Sequence, residues 1–572
     1  MKKVFTLVCV LIFLALSISL FAKTKSVKEQ NTVQRKATNI FDLQQNTVSN
    51  FQFFTTNYGI FGLDVANGVG GGVWPRGSLN QYMFGAGFWF GAQKYLIPGD
   101  TSSLRKMVEI SYNPNSGKSW FVPGRIEDGD SVYNQSLSKY RTYFSTDFKS
   151  TDGTPSNPSD GENWPLWITG KTIKDRLDAF PGTFVYDENT RNINNYPEGP
   201  SIVSQEDIIS TYKDTDIRFM DTLLSMNYNI NGYPLRLQFE ERIYSWGFII
   251  LRDIVIQSYT VQNKSTDTLL NCWFAPVIDF DIGRKPNVNQ TNDRTRYYNE
   301  DTSLNLAIGW SDANNPFGGE KGLGLGYIGF SLLETPAIDA NGFIRNDKKF
   351  FLPEEEIGLK TFKDWNLCED LNTDIARYNS MASLIRDSLI YSDDKRIILA
   401  TGPFNMLPGD VARVAITYAF AMPAKGGEAD GTTEDLTGFK QSISKNGNIP
   451  LQVSDSSLIG KIIKAKQMYY QAITGIKDNN QIISGLTINS IYPNPSSQFA
   501  VINYSLPDAG NVRLSLINQL GQEIIFINDN WHEAGEYNFR FAIDDFRLNS
   551  GLYCVKLQSG SEIRTSKLVI VR

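Results

Sequence analysis

The sequence predicts a mainly β chain, with a large central region rich in β-sandwich strands and a few helices, followed by a small C-terminal Ig-like antiparallel β-sandwich. Three observations carry this reading. From about Val48 the chain is dense in Phe, Tyr, Trp, Ile and Val, interrupted by Gly, Asn, Asp and Pro, the composition of strands joined by turns. Beyond Leu486 the apolar residues alternate as Val512, Leu514, Leu516, then Tyr537, Phe539, Phe541, then Tyr553, Val555, Leu557, the period of half-buried strands. Helical spacing is confined to 373–389 and 456–473.

At 572 residues the chain is too long for one core, so we expect one large domain or two fused ones plus a smaller unit. Residues 1–22 open with Met1, Lys2 and Lys3, continue as an apolar run and soften into Ser and Ala, the order of a secretory signal peptide. The run also approaches the length that crosses a bilayer, so a membrane anchor is the competing reading. A polar leader at 23–47, a central region at 48–475 that admits two subdomains, a linker at 476–488 and a terminal module at 489–572 complete the division.

Within the central region, Leu235, Leu237 and Phe239 alternate with Arg236 and Gln238, predicting a half-buried strand. The run 249–262, the turn 263–267 and the run 268–278 predict a hairpin with a longer loop. The helix over 456–473 carries Leu458, Ile459, Ile462 and Tyr469 on one stripe, with Asp455 or Ser454 as its cap and Gly475 as its stop. The glycine-rich stretch 68–72 lacks a phosphate-binding fingerprint and predicts a mobile turn.

The formal net charge of -6 comes with no basic cluster among aromatics, so nucleic acid is not an expected partner. Loss of the signal peptide removes Cys9 and leaves Cys272, Cys368 and Cys554, an odd number that excludes a disulfide framework. A Cys272 to Cys368 bridge stays open, although their apolar neighbours favour buried free thiols.

The only histidine, His532, lies in the terminal module. Without imidazole the central region cannot build Ser-His-Asp or Cys-His nucleophiles or His-ligated zinc. Ser-x-x-Lys spacing recurs at 103–106, 136–139 and 442–445 without its accompanying motifs, which reads as surface pairs. Paired carboxylates survive as a catalytic option. Asp279 and Asp281 sit two apart, so on a strand they would face one side, with Asp293 and Asp301 in reach. Asp279, Asp281 and Asp293 are thus candidate calcium ligands, with turn-capping as the plainer reading; no other cofactor is expected. Aromatics between Phe51 and Phe90 could form a glycan platform, against a default of core packing.

Four motifs occur in order near the end: Tyr492-Pro493-Asn494-Pro495, then 518–523 with Gly521, then Ser550-Gly551-Leu552-Tyr553, then 567–571 beginning at Lys567. Together they resemble the type A sorting domain of the type IX secretion system. The resemblance implies a Bacteroidetes-type host and passage through the periplasm to the outer surface or medium. It implies as partners the translocon and the machinery that removes the sorting domain, with release or attachment to surface lipopolysaccharide. Pro493 and Pro495 impose extended backbone, and Gly521 and Gly551 suit tight turns. Through 260–265, 279–283 and 402–410 the central region resembles uncharacterised secreted proteins that precede such domains. The expected function is a non-catalytic binding, adhesive or structural module with glycans as candidate partners. A carboxylate-based glycan hydrolase and a surface filament or sheath subunit are the alternatives.

Overall fold

The computed structural model describes residues 41–131, 140–144, 204–220, 232–247, 251–312, 325–348, 350–425, 429–438, 453–470 and 486–571, the last apart from 493, 498, 507–509, 519–521, 533–534, 544–547 and 561. The predicted signal peptide, most of the leader, Pro493 and Gly521 lie outside the described residues. The chain divides into two compact units, 1–477 and 478–572.

The main strands of the first unit are β1 (Gly85–Tyr95), β2 (Leu104–Ile110), β3 (Tyr143–Phe144), β4 (Glu206–Lys213), β5 (Leu237–Ser245), β6 (Ile254–Asn263), β7 (Leu269–Asp279), β8 (Asp293–Tyr297), β9 (Leu306–Ser311), β10 (Tyr327–Glu334), β11 (Thr361–Asn366), β12 (Lys395–Met406) and β13 (Val411–Ala421). With the two-residue strand Val122–Pro123, which pairs with β4 off the main path, they form a nine-stranded antiparallel sheet whose main path is β3-β4-β5-β6-β13-β10-β9-β8, and a five-stranded one in the order β11-β12-β7-β1-β2. Helices α1 (Asp374–Met381), α2 (Thr433–Thr437) and α3 (Leu458–Met468) accompany them.

The inner faces of the two sheets meet in a core rich in aromatic rings. Phe88 of β1 lies 4.8 Å from Phe274, 4.9 Å from Phe239 and 5.0 Å from Tyr259, centroid to centroid, the spacing at which aromatic pairs add to plain burial. The outer faces are apolar too, so each needs its own cover. Tyr378 and Met381 of α1 join Trp89, Trp273 and Trp365 over the five-stranded sheet. Leu458, Ile459, Ile462 and Tyr469 of α3 join Ile256, Ile308 and Tyr327 over the nine-stranded one. At Gly329 a Cβ would lie 3.1 Å from Leu458 and 3.2 Å from Ile462, so the missing side chain lets α3 approach. Lys461 then fastens the helix, donating to Asp253 at 2.7 Å and to the Phe420 carbonyl at 2.6 Å.

The strand predicted around 235–239 begins at Leu237, and Leu235, Leu237 and Phe239 are all buried. The hairpin predicted across 263–267 is not one. β6 belongs to the nine-stranded sheet and β7 to the five-stranded sheet, so the turn is an arch between layers. Asn263 holds it, donating to the Asp267 carbonyl at 2.9 Å and to that of Leu407 at 3.2 Å, while its Oδ1 accepts from the Ser265 amide at 3.0 Å. The second contact joins it to the neighbouring arch between β12 and β13, where the Asn263 amide also donates to the Asp410 carbonyl at 3.0 Å. Two of the motifs noted in the central region, 260–265 and 402–410, are therefore one corner.

Other local expectations shift as well. Ser457, one turn later than predicted, caps α3 by accepting from the Gly460 amide at 3.1 Å. Helix α1 stops at Met381, and the chain then runs parallel to β11 through the Phe362 and Arg386 bridge. The glycines at 70–72 are not a free turn: a Cβ on Gly71 would lie 2.3 Å from the Gly62 carbonyl oxygen and 2.6 Å from Phe54. None of the three described cysteines forms a disulfide; Cys272 is buried, but Cys368 is exposed.

In the second unit, strands β14 (Thr487–Tyr492), β15 (Phe499–Leu506) and β18 (Gly535–Ala542) form one antiparallel sheet. Strands β16 (Gly510–Ile517), β17 (Glu523–His532), β19 (Gly551–Ser559) and β20 (Glu562–Ile570) form the other, in the order β17-β16-β19-β20. Val512, Leu514, Leu516, Phe541, Val555 and Leu557 pack into a single core with Tyr537, Phe539 and Tyr553 beside it, so the period-2 pattern marks its inward faces.

Because Phe88 touches rings from both sheets, Phe88→Ala should destabilise the first unit by about 3–5 kcal/mol, read as a lower urea midpoint. An unchanged midpoint would show that the aromatic layer does not join the sheets.

Candidate functional site

Asp279 is the last residue of β7 and is buried opposite Arg396, the second residue of β12, with which it is paired in the sheet. Arg396 Nε lies 3.3 Å from Asp279 Oδ1 and 3.6 Å from Asp370 Oδ1, and Nη1 lies 3.4 Å from Asp394 Oδ1. The Tyr112 hydroxyl donates to Asp279 Oδ2 at 3.1 Å. Burial pushes the Asp279 carboxyl up to about 7 against the opposing pull of Arg396.

Asp281 and Asp293 have different partners. Gln81 donates to the Asp281 carbonyl at 3.2 Å and to its carboxylate at 3.4 Å. The Ile282 amide donates to both Asp293 oxygens, at 3.2 and 3.1 Å. Burial raises the carboxyls of both, and the neighbouring Asp279 adds to the rise at Asp281. Among the described residues no three acidic, histidine or cysteine side chains are arranged to hold a metal ion. Of the three, Asp279 is the one in ion-pair contact with Arg396. Asp301, by contrast, caps a short turn by accepting from the Ser303 amide at 3.0 Å.

Sequence reasoning missed a second group of buried acids. Glu241 accepts from Tyr212 at 2.9 Å and from Gln257 at 2.6 Å, and burial pushes its carboxyl up to about 7. The strand period does carry that signal, since Glu241 shares the inward face of β5 with Leu237, Phe239 and Ile243. Glu109 and Asp214 lie side by side, both raised by burial.

A cavity of about 250 Å³ opens where β10 ends and β13 begins. Leu332 pairs with Ile416 but Glu334 pairs with Ala415, so Leu333 is an extra residue, a bulge that re-aims Glu334. Arg413 Nε contacts Glu334 Oε1 at 3.2 Å, and the Tyr469 hydroxyl of α3 donates to the other oxygen. Arg345, Lys348 and Arg413 stand on its wall with Phe351, Ile344 and Pro336. Behind the wall, burial first and then the neighbouring Glu334 push the Glu356 carboxyl up to about 8. The aromatics between Phe51 and Phe90 do not form a platform: Phe51, Phe53, Phe61, Phe88 and Phe90 are core residues.

In the second unit the motif residues meet around the last strand. Asn494 donates to the Lys567 carbonyl at 2.7 Å and accepts from the Val569 amide at 2.7 Å. Ser496 extends the contact as a parallel bridge to Ile570, so the segment that enters the module is stitched to the one that ends it. Pro495 is exposed after a cis peptide bond, and Lys567 is exposed on β20. Asn518 closes the β16–β17 turn, exchanging amide contacts with Gln522 at 2.9 Å. Tyr492 closes β14, paired with Val501. Gly551 opens β19 opposite Ile570 and a Cβ there would meet only ordinary contact, 3.7 Å from Tyr553; the Tyr553 hydroxyl donates to the Asn549 carbonyl at 3.0 Å.

Residues 490–571 match the family described as the secretion system C-terminal sorting domain. The chain ends in a type IX secretion sorting domain, which supports its being cargo of that system. Its sorting domain directs it out of the cell, to the surface or the extracellular space, and is handled by the type IX machinery. No curated protein matches the chain. Among solved structures, it is similar to a polysaccharide lyase at 8% identity over 58% of this chain and 34% of that one, with a TM-score of 0.19. It is similar to a Faecalibacterium prausnitzii beta-glucuronidase at 11% identity over 43% and 37%, with a TM-score of 0.12. The adhesin domain of Epf from Streptococcus pyogenes aligns at 9% identity over 56% and 81%, with a TM-score of 0.12. The cargo thus spans about a third of the lyase's length.

Two predictions follow from the buried charges. Arg396→Ala leaves buried carboxylates without their cation and should cost about 3–5 kcal/mol, with part of the loss recovered at pH 5.5; equal losses at pH 5.5 and pH 8 would contradict this. A calcium chelator should leave the melting midpoint of the wild type in place, and a fall would restore the three aspartates as ligands. Separately, the folded state holds protons at Asp279 and Glu241 up to about pH 7, whereas the unfolded chain releases them near pH 4. Stability should therefore fall as pH rises from about 5 to about 8; a thermal midpoint that climbs over this window would overturn the assignment.

Proposed function

We propose that this cargo acts outside the cell as a non-catalytic binding or adhesive module, and that the sorting domain is Ig-like and is removed on the way. After that step the central unit is released or held on surface lipopolysaccharide. The reading rests first on the export assignment and then on the cavity and buried acids among the described residues of the first unit. The observation that carries it is the cavity beside β10 and β13, where Glu334 is the one carboxylate among the described wall residues, the neighbouring Glu356 lying behind them and accepting from Thr335 and Tyr470. Glycoside hydrolysis by the usual route needs two carboxyl groups about 5–10 Å apart across the scissile bond. The buried acids elsewhere are committed to internal partners: Asp279 to Arg396 and Tyr112, Asp293 to a backbone amide, Glu241 to Tyr212 and Gln257. An amphipathic cavity with a single acid suits holding a ligand rather than cleaving one.

Two measurements test the two halves. Deleting 490–571 should leave the protein in the cell envelope while the full chain reaches the surface or the medium; export of the truncated chain would sink the sorting half. For the binding half, full-length protein applied to a glycan panel should retain saccharides without generating reducing ends. Reducing-sugar release abolished by Glu334→Gln would replace this reading with the hydrolase.

A further inference from the structure

The cavity beside β10 and β13 has a chemistry that narrows its ligand. Three cations stand on its wall, Arg345, Lys348 and Arg413, against one carboxylate, Glu334, whose side chain is 5% exposed. The counter-charges of the first two lie off the wall. Arg345 meets Asp347 through Nε at 3.0 Å and Nη2 at 2.8 Å, and meets Glu355 at 3.2 Å through Nη1. Lys348 meets Glu355 at 2.8 Å. Arg345 and Lys348 also flank the Phe351 ring, at 4.6 and 5.8 Å from its centroid, and Arg413 lies 4.4 Å from the Phe350 centroid. These contacts fix long side chains that would otherwise lose rotamer freedom on binding, so the cationic wall is ordered before a ligand arrives.

The rest of the lining is mixed. Ile344, Pro336, Ala337 and Val411 offer apolar surface, while Thr335 and Asn346 offer polar groups. Asn346 is oriented by its contact with Asp410 at 2.8 Å, which ties this wall to the stacked arches. A volume of about 250 Å³ falls just below the range of about 300–1,000 Å³ typical of drug-sized ligands, so it suits one ring or one side chain.

We propose that this cavity binds one uronate unit of an acidic extracellular polysaccharide, a proposal that rests on the binding role given above and names its ligand class. The carboxylate of the sugar meets Arg345, Lys348 and Arg413. Its C–H face lies on the apolar wall, and its hydroxyls use Asn346, Thr335 and the acceptor Glu334. The combination of anion donors with an acceptor and an apolar surface fits a sugar acid, whose ring offers a C–H face and several hydroxyls at once.

The test is calorimetric titration of the full-length protein with three probes: an oligogalacturonate, a neutral oligogalactan of the same length and a poly-glutamate peptide. The oligogalacturonate should bind at least tenfold more tightly than either of the others and should weaken with added salt, as exposed charge contacts do. Arg345→Gln with Lys348→Gln should lose at least tenfold in affinity with an unchanged melting midpoint. Should that pair fail to fold, Lys348→Glu, at a half-exposed position, should lose affinity on its own. Equal binding of the neutral oligomer would overturn the uronate assignment while leaving a glycan-binding role in place. Equal binding of poly-glutamate would assign the cavity to acidic peptides instead. Binding of no saccharide would overturn this inference and count against the proposed function as well.

Discussion

Two sheets that are apolar on both faces impose the constraint on which the first unit depends. A sandwich can satisfy one face of each sheet by pressing them together, and here Phe88, Phe239, Tyr259 and Phe274 fill that layer. The outer faces then need separate covers, which α1 and α3 provide. Short helices of this kind are weak on their own; what holds α3 is burial of its stripe and the anchoring of Lys461 on Asp253. Layering in turn fixes the corners, because consecutive strands must change sheets, and the arches at Asn263 and at 407–410 stack where they do so.

The same layering explains why so many acids in this chain are buried and hydrogen-bonded to internal partners. Asp279 reaches Arg396 because adjacent strands of one sheet present the two residues opposite each other. Glu241 faces inward because its strand alternates. Such groups shift the proton balance of folding. The cavity differs in that a bulge, rather than regular alternation, aims Glu334 at it.

Much of this was legible in the residues. Val512, Leu514 and Leu516 alternate in the sequence and are buried together in the second unit, because period-2 patterning reports directly which side of a strand meets a core. The arch at 263–267 was not legible, since an asparagine-rich turn between apolar runs looks alike whether its strands pair or part into two sheets. Asn494 and Val569 are far apart in the chain yet bonded; each motif was visible, but only the fold shows that the first clasps the last. The cavity was the least readable, because Arg345, Lys348, Glu334 and Arg413 come from three separate segments and share no spacing. Asp279, Asp281 and Asp293 were legible as a group: the fold keeps them close enough that Asp279 raises the Asp281 carboxyl and Asp281 that of Asp293, while each has its own hydrogen-bond donor.

The central claim is that export information resides in the second unit, whose core and clasp are internal to it. Appending residues 478–572 to a reporter that carries its own signal peptide, in a host with the type IX system, tests this directly by fractionation. Appearance of the reporter at the surface or in the medium, lost when 490–571 is removed from the fusion, is the predicted result. A reporter that stays in the periplasm with the whole unit attached and folded would contradict it.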